Sequence, residues 1–493
     1  MRTILVLMDT LRKDYLSTYN PTTNVLTPNL DAFAEDSLIF DNHYIGSTPC
    51  MPARRDLMTG RLNFLERSWG PIEPFDITLP KVLAEQEVFS HLTTDHTHYF
   101  RLGGEGYINQ FTSWDFQRGQ EGDPWHSIMR DPEWMPEQYH GRLRKQYQAN
   151  RELWHENEEA YPTPRTFASA CDWLETNKGE DDFFLQVEVF DPHEPFDVPQ
   201  KYMDIYQKDY SGPFFETPVY GEVDVPAEAE EYIRNRYSAL VTMTDVHFGR
   251  LIDKLKETEM YEDTQIIVTS DHGYFLGDRE LFGKNYMHNF NELAAIPLFV
   301  KHPQGKKAGE RTDEVTQNID VMPTVLDAFG ATTPEEVQGA SWQPIFEDEP
   351  RDKSFALYGA HGITVNITDG KYSYFRSPNE ENQPLFEYAG IPTTIRHYLG
   401  EADPAAIQTG RFLARTEFPV FKVPIKRAAI LDGLPDVSEY TQDSLLFDLK
   451  KDPMQQNPVI DPEIEERYKT HLKTQLDILE APVEQFERLS LNE

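Results

Sequence analysis

Thr3-Ile-Leu-Val-Leu-Met-Asp9 begins almost at the first residue, a near-continuous apolar run that stops at a carboxylate. A strand with one wet face alternates polar and apolar residues; an unbroken run marks a strand covered on both faces, as in a parallel sheet. The form recurs downstream. Phe183-Phe-Leu-Gln-Val-Glu-Val-Phe190 runs into Asp191, and Gln265-Ile-Ile-Val-Thr269 into Ser270-Asp271. Ser37-Leu-Ile-Phe-Asp41 reads as a further strand. Between these runs lie helical patterns: Pro28 to Asp36, with Leu30, Phe33 and Ala34 on one face, then Leu79 to Glu85. Arg165 to Asn177, stopped by Gly179, and a long stretch from Ala227 to Glu257 follow. Strands alternating with helices predict an α/β fold with a large mixed, mostly parallel sheet sandwiched by helices.

The chain has 493 residues, more than one hydrophobic core supports. Past residue 350 the segments shorten, as in Phe355-Ala-Leu-Tyr358, Lys371-Tyr-Ser-Tyr-Phe375 and Leu445-Leu-Phe-Asp-Leu449. This predicts a large α/β domain over 1–350 and a smaller C-terminal α+β domain over 351–493. The latter carries an antiparallel sheet and a terminal helix from Pro462 to Leu479. Residues 103–164 show little periodicity and hold four of the seven tryptophans, Trp114, Trp125, Trp134 and Trp154. That segment reads equally as a lid-like insertion with stacking faces and as a satellite hydrophobic cluster. Its Arg118, Arg142, Arg144 and Lys145 are either solvated or ready to bind a carboxylate or sulfate.

Lys and Arg number 46 against 84 Asp and Glu, a formal charge of −38. Such a surface repels a nucleic-acid backbone. No apolar run approaches the roughly 20 residues of a membrane span. The N-terminal stretch lacks the long apolar region of a secretory signal, so a cytoplasmic protein is expected. Two cysteines far apart, Cys50 and Cys171, make neither a disulfide framework nor a zinc cluster. Cys171, on a helix, reads as core packing.

Parallel sheets bind ligands beyond the carboxyl ends of their strands. Here those ends read Met8-Asp9-Thr10, Thr94-Asp95-His96-Thr97-His98, Phe190-Asp191-Pro192-His193 and Ser270-Asp271-His272-Gly273. One Asp after a strand is ordinary turn chemistry; four ends carrying carboxylate or imidazole point to a site. Cys50-Met-Pro-Ala-Arg54 supplies C-x-P-x-R, continued by Met58-Thr-Gly-Arg61. Taken in order with Phe282-Gly-Lys284 and Leu446-Phe-Asp-Leu-Lys-Lys-Asp-Pro453, these motifs resemble the type I sulfatases of the alkaline phosphatase superfamily. The likeness spans essentially the whole chain, and the family's cysteine is oxidised after translation to formylglycine.

The chemistry of position 50 is consistent with that. A thiolate attacking a sulfate ester is left as a thiosulfate adduct with no easy exit. A hydrated aldehyde attacks sulfur through one hydroxyl to give a covalent sulfo-enzyme, and ionisation of the other expels sulfate. Pro52 suits the first turn of a helix, whose N-terminus favours a tetrahedral anion.

The resemblance implies metal ligands at Asp9, the modified Cys50, Asp271 and His272. It implies catalytic roles for Arg54, which steadies the ionised nucleophile, His98 as base, His193 near the leaving oxygen and Lys284 on the sulfate. His96 stands where the family usually has Lys, which implies weaker fixed charge at the sulfate and a more pH-dependent rate. His288 is a further candidate for the pocket mouth. Thr10 replaces a common second Asp and His272 a frequent Asn. The imidazole moves the expected ion from calcium alone toward calcium first and manganese a close second. Those two departures also resemble the phosphonate monoester hydrolase branch. The expected substrate is a small sulfated sugar or aryl alcohol, with phosphonate monoesters or phosphodiesters as the alternative. A non-catalytic binding protein with unmodified Cys50 is the alternative of another class. The implied partner is a formylglycine-generating or anaerobic maturating enzyme.

Overall fold

Arg2–Met8 occupies the interior of an eight-stranded sheet in the computed structural model, which describes residues 1–154, 157–207, 209–396, 398–399, 403–428 and 434–492. Its side chains divide by parity. Ile4, Val6 and Met8 enter one hydrophobic cluster, and Leu5 and Leu7 enter the cluster on the opposite face. That division is why the run shows no polar alternation. The strand order is Arg311–Gln317, Leu38–Tyr44, Leu298–Lys301, Thr264–Thr269, Arg2–Met8, Phe183–Val189, Phe89–Thr94 and Ser113–Phe116. Only Leu298–Lys301 runs against its neighbours; all other pairings are parallel. The expected mixed, mostly parallel sheet is present.

Three strands escaped the sequence reading. Leu298–Lys301 has four residues, too few for a period. Arg311–Gln317 is an edge strand whose first half is charged and mostly exposed. Ser113–Phe116 forms the opposite edge, so the 103–164 segment contributes a strand to the sheet.

Helices Pro28–Glu35, Pro162–Thr176 and Ala227–Glu257 pack together on one face. Cys50–Thr59, Leu79–Glu85 and Val321–Ala328 pack together on the other. Cys171 lies on Pro162–Thr176, partly buried against the first group, in line with a packing role.

Beyond residue 350, strands Leu445–Asp448, Tyr372–Arg376, Val365–Thr368 and Ala356–Ala360 form an antiparallel sheet. Its fifth strand, Ser47–Thr48, comes from the N-terminal part of the chain and pairs parallel with Ala356–Ala360. Helix Pro462–Ile478 lays Tyr468, Leu472 and Leu476 against this sheet's cluster, and Asp461 caps it by accepting from the amides of Glu463 and Ile464. Phe386–Ala389, Val420–Pro424 and Gln408–Gly410 form a further antiparallel sheet. Among the described residues no helix is long and apolar enough to cross a membrane.

Candidate active site

Register sets the site. Leu7 pairs with Thr269, so Asp9 and Asp271, each two residues further, emerge side by side at the carboxyl end of the sheet. Thr10 then takes φ 67°, a left-handed conformation that costs a threonine about 1–3 kcal/mol. Hydrogen bonds hold it there: its amide donates to Asp271 Oδ1 (3.0 Å), its carbonyl accepts from Tyr237 (2.7 Å), and its hydroxyl donates to Asp9 Oδ1 (2.7 Å). Gly273 is obligatory, because a Cβ there would sit 1.9 Å from the Glu292 carbonyl oxygen.

Cys50 is the first residue of helix Cys50–Thr59, every residue of which is buried. Pro52 thus falls in the first turn, at the third helical position, where its missing N–H has no intrahelical partner to lose. The helix ends at Gly60 in the left-handed region. The loop before it is tied down by Asp56, which accepts from the hydroxyl of Ser47 and the amide of Asn63.

The donor atoms of Asp9, Cys50, Asp271 and His272 all lie within 4.8 Å of one another. His272 Nδ1 faces the Gly273 carbonyl at 3.0 Å, which places the proton on Nδ1 and leaves Nε2 with a free lone pair. Nε2 lies 3.3 Å from Cys50 Sγ, 3.3 Å from Asp271 Oδ2 and 3.3 Å from Lys284 Nζ. Burial pushes the His272 pKa down to about 3, so the ring is neutral, the form that ligates a cation. Burial and the neighbouring Asp271 push Asp9 up to about 8, the response of two enclosed carboxylates short of positive charge. Two carboxylate oxygens, one bare imidazole nitrogen and position 50 fit a divalent ion.

Arg54 lies beneath this cluster, 1% exposed, as a three-way brace. It donates to Asp9 Oδ2 (2.9 Å), Asp271 Oδ2 (2.8 Å) and Glu188 Oε1 (2.7 Å), and to the carbonyl of Cys50 (3.0 Å). Its guanidinium is thus spent on carboxylates and on the backbone of Cys50, not on the Cys50 side chain. Glu188, which also accepts from Tyr99 (2.9 Å), was missed from sequence. A glutamate inside an otherwise apolar strand was the available signal, since such a charge needs a buried partner.

Lys284 Nζ lies 3.6 Å from Cys50 Sγ. Burial opposes its charge, but the carboxylates of Asp9, Glu194 and Asp271 favour it, and its pKa is raised. Burial, then Asp9, drives the Cys50 thiol well above its ordinary value. Unmodified, it is a neutral thiol, a poor nucleophile.

Above Cys50 opens a cavity of about 310 Å³ lined by Trp69, His98, Glu121, His193, Tyr220 and Lys284, among others. His193, which lines the cavity, has Nδ1 2.6 Å from the Glu194 carbonyl oxygen, so Nε2 is its remaining ring nitrogen. His98 Nδ1 contacts His96 Nε2 at 3.2 Å, and its Nε2 is 3.3 Å from Glu121 Oε2. Burial, then Arg101 among its charged neighbours, depresses the His98 pKa well below the usual value, and burial with Lys284 does the same to His193.

His96 and His288 are placed elsewhere. His96 is fully buried behind His98, packed on Tyr99 and Phe190, and does not line the cavity. Burial and Arg54 push its pKa far down. That direction disfavours the added pH-dependent charge expected from it. His288 stacks on Phe375 at 5.3 Å, against the C-terminal sheet and away from the cavity mouth. Among the strand-end carboxylates, Asp95 and Asp191 do not join the cluster. Asp95 ties strand ends together, accepting from the amide of Phe190 (2.7 Å), and both accept from Gln120.

Of the 103–164 tryptophans, Trp154 packs with Tyr147 and Tyr161 in a satellite cluster, and none lines the cavity. Arg142 and Arg144 do line it; Arg118 pairs with Asp123 and Lys145 with Asp131. Trp69, Glu121, Tyr220 and Arg396 were not singled out from sequence, because nothing local marks residues that meet only through loop packing.

Comparison with known proteins gives a consistent picture. The sequence profile of the family described as Sulfatase matches residues 2–331. The N-acetylglucosamine-6-O-sulfatase of Bacteroides thetaiotaomicron is 29% identical over 202 residues, 38% of this chain and 36% of that relative's own length. The choline-sulfatase of Rhizobium meliloti is 27% identical over 456 residues, 83% of this chain and 85% of that one. Among solved structures, the phosphonate monoester hydrolase of Agrobacterium radiobacter aligns with a TM-score of 0.68 at 19% identity, covering 97% of this chain and 96% of that one, a likeness of fold.

Proposed function

Because this chain belongs to the sulfatase family, within the alkaline phosphatase superfamily, we propose that it hydrolyses sulfate monoesters of sugars or aryl alcohols through position 50, matured from cysteine to formylglycine. The observation that carries this reading is the meeting of Asp9, Cys50, Asp271 and His272 within 4.8 Å at the start of a buried helix. The relative named an N-acetylglucosamine-6-O-sulfatase supports a sugar substrate.

Asp9, Asp271, His272 and the matured position 50 would hold a divalent ion, calcium before manganese, which would supply charge stabilisation and acidify the nucleophile. The formylglycine hydrate would supply one hydroxyl to attack sulfur and a second whose ionisation releases sulfate. The rest falls to the chain's own side chains. Arg54 fixes the Asp9 and Asp271 carboxylates and the Cys50 backbone. Lys284, charged and 3.6 Å from the Cys50 sulfur, binds sulfate oxygens as negative charge grows on the leaving oxygen. His98, which lines the same cavity as position 50, takes the proton of the second hydroxyl. His193 presents Nε2 toward the leaving oxygen, and an anionic sulfate beside it favours the protonated, proton-donating form.

A consequence for pH follows. A base works only while unprotonated, and the depressed pKa of His98 keeps it so below the ordinary histidine value of about 6.5. The acid limb of kcat, which includes release of sulfate from the sulfo-enzyme, is therefore expected to have its midpoint below pH 6.5. A midpoint above 7 contradicts His98 as the base.

Hydrolysis of phosphonate monoesters at the same residues is the second reading, favoured by Thr10 and His272 and by the fold likeness. Rates on 4-nitrophenyl sulfate and on a 4-nitrophenyl phenylphosphonate, after chelation and readdition of calcium or manganese, separate the two. Chelation is expected to abolish turnover, calcium to restore it, and sulfate to be preferred. A phosphonate preference of more than about tenfold in kcat/KM, about 1.4 kcal/mol, overturns the sulfatase reading.

A further inference from the structure

The mouth of the cavity collects arginine in a chain with 46 basic against 84 acidic residues. An outer chamber of about 550 Å³ is lined by Arg101, Arg142, Arg144 and Arg396, with Glu121. Arg142, Arg144, Arg396 and Glu121 also line the inner cavity above Cys50, so the two spaces adjoin. The four guanidiniums arrive from three separate stretches of chain, and they are not equally neutralised. Arg144 (2.5 Å) and Arg101 (3.4 Å) share the carboxylate of Glu121, whose pKa is held down to about 2, burial notwithstanding, by Arg144 and Arg101, and Arg144 also lies 3.8 Å from Glu194. Among the described residues Arg142 and Arg396 have no ion-pair partner. Each instead rests on an aromatic face, Arg142 over Tyr220 at 5.2 Å and Arg396 over Trp69 at 4.5 Å. Both are exposed to the opening.

Elsewhere in the same region arginines are matched: Arg118 by Asp123, and Arg151 by Asp197 and Glu216. Four like charges facing one chamber repel each other, an arrangement that is stabilised when an anion enters. Guanidinium forks suit planar or tetrahedral oxyanions, which they bind in bidentate fashion, and stacking on Tyr220 and Trp69 holds them ready at little entropic cost.

We propose that this chamber is a second-anion subsite: the substrate carries, beside the sulfate that is cleaved, a further carboxylate or sulfate that is held by Arg142 and Arg396. The assignment rests on the inner cavity being the sulfate-ester site. It narrows the substrate to polyanionic sugars and separates them from neutral sugars or simple aryl alcohols bearing one sulfate.

Binding tests it without requiring turnover. Calorimetric titration of full-length Cys50→Ala protein compares glucosamine 6-sulfate, glucosamine 2-N,6-O-disulfate and a 6-sulfated glucosamine joined to a uronate. The dianionic sugars are expected to bind at least about tenfold more tightly than the monosulfate, the worth of one good charge pair. The sugar that gains more, disulfate or uronate, identifies the second anion. The double variant Arg142→Gln/Arg396→Gln is expected to bring that preference below about threefold. Lys145→Ala, which removes one positive charge from an exposed side chain paired with Asp131, leaves it in place. Equal affinity for one- and two-anion sugars overturns the subsite, as does a preference indifferent to the double variant. Because the first comparison uses no arginine variant, misfolding of the double variant leaves the test intact. If the matured protein proves to cleave phosphonates instead, the sulfatase reading fails while the binding preference is still read.

Discussion

Arg54→Ala is expected to destabilise the protein by about 3–5 kcal/mol and to remove its activity. The guanidinium is 1% exposed and bonded to three carboxylates, Asp9, Glu188 and Asp271, each 0% exposed. Deleting one partner of a buried ion pair is costly mainly because the other charge stays behind without compensation. Without metal three stay behind, and of the neighbouring cations Lys284 contacts Cys50 and His272. Arg54→Lys keeps the charge but cannot fork to three acceptors, so it should fall between wild type and alanine. Urea unfolding of the three proteins, with activity measured alongside, gives the comparison. A loss under about 1 kcal/mol for the alanine variant shows that the carboxylates find other partners, and the bracing role fails.

Cys50→Ala is expected to do the reverse: to leave the fold and remove the chemistry. One buried sulfur is lost from a side chain whose sulfur meets Asp9, His272 and Lys284. The stability change should stay within about 1–2 kcal/mol. Turnover of 4-nitrophenyl sulfate should fall by at least about 10⁴-fold, the scale seen when a covalent nucleophile is deleted. Activity within tenfold of wild type places the nucleophile elsewhere.

These two positions also mark what the sequence reveals. The sheet was legible where strands are covered on both faces, because burial on both sides leaves an unbroken apolar run such as Thr3–Met8. It was illegible at Arg311–Gln317, an edge strand whose exposed half is charged, and at Leu298–Lys301, which is too short to show a period. At the site, Asp9, Cys50, Asp271 and His272 stand at strand tips and a helix start, positions that local pattern marks. Asp95 and Asp191 look identical in sequence yet tie strand ends together, a distinction made by register and by Gln120. Glu188 was visible as a charge inside an apolar strand but could not be assigned without Arg54 opposite it. Trp69, Glu121, Tyr220 and Arg396 meet from separate stretches, and only the folded chain brings them to one cavity.

The most direct test is the mass of the peptide carrying position 50, taken from protein made in a host with a working maturation enzyme and shown to be active. Oxidation of the thiol to the aldehyde lowers that mass by about 18 Da, and a carbonyl reagent then adds to the peptide. Recovery of active enzyme whose position 50 is wholly unmodified cysteine contradicts the proposed nucleophile outright.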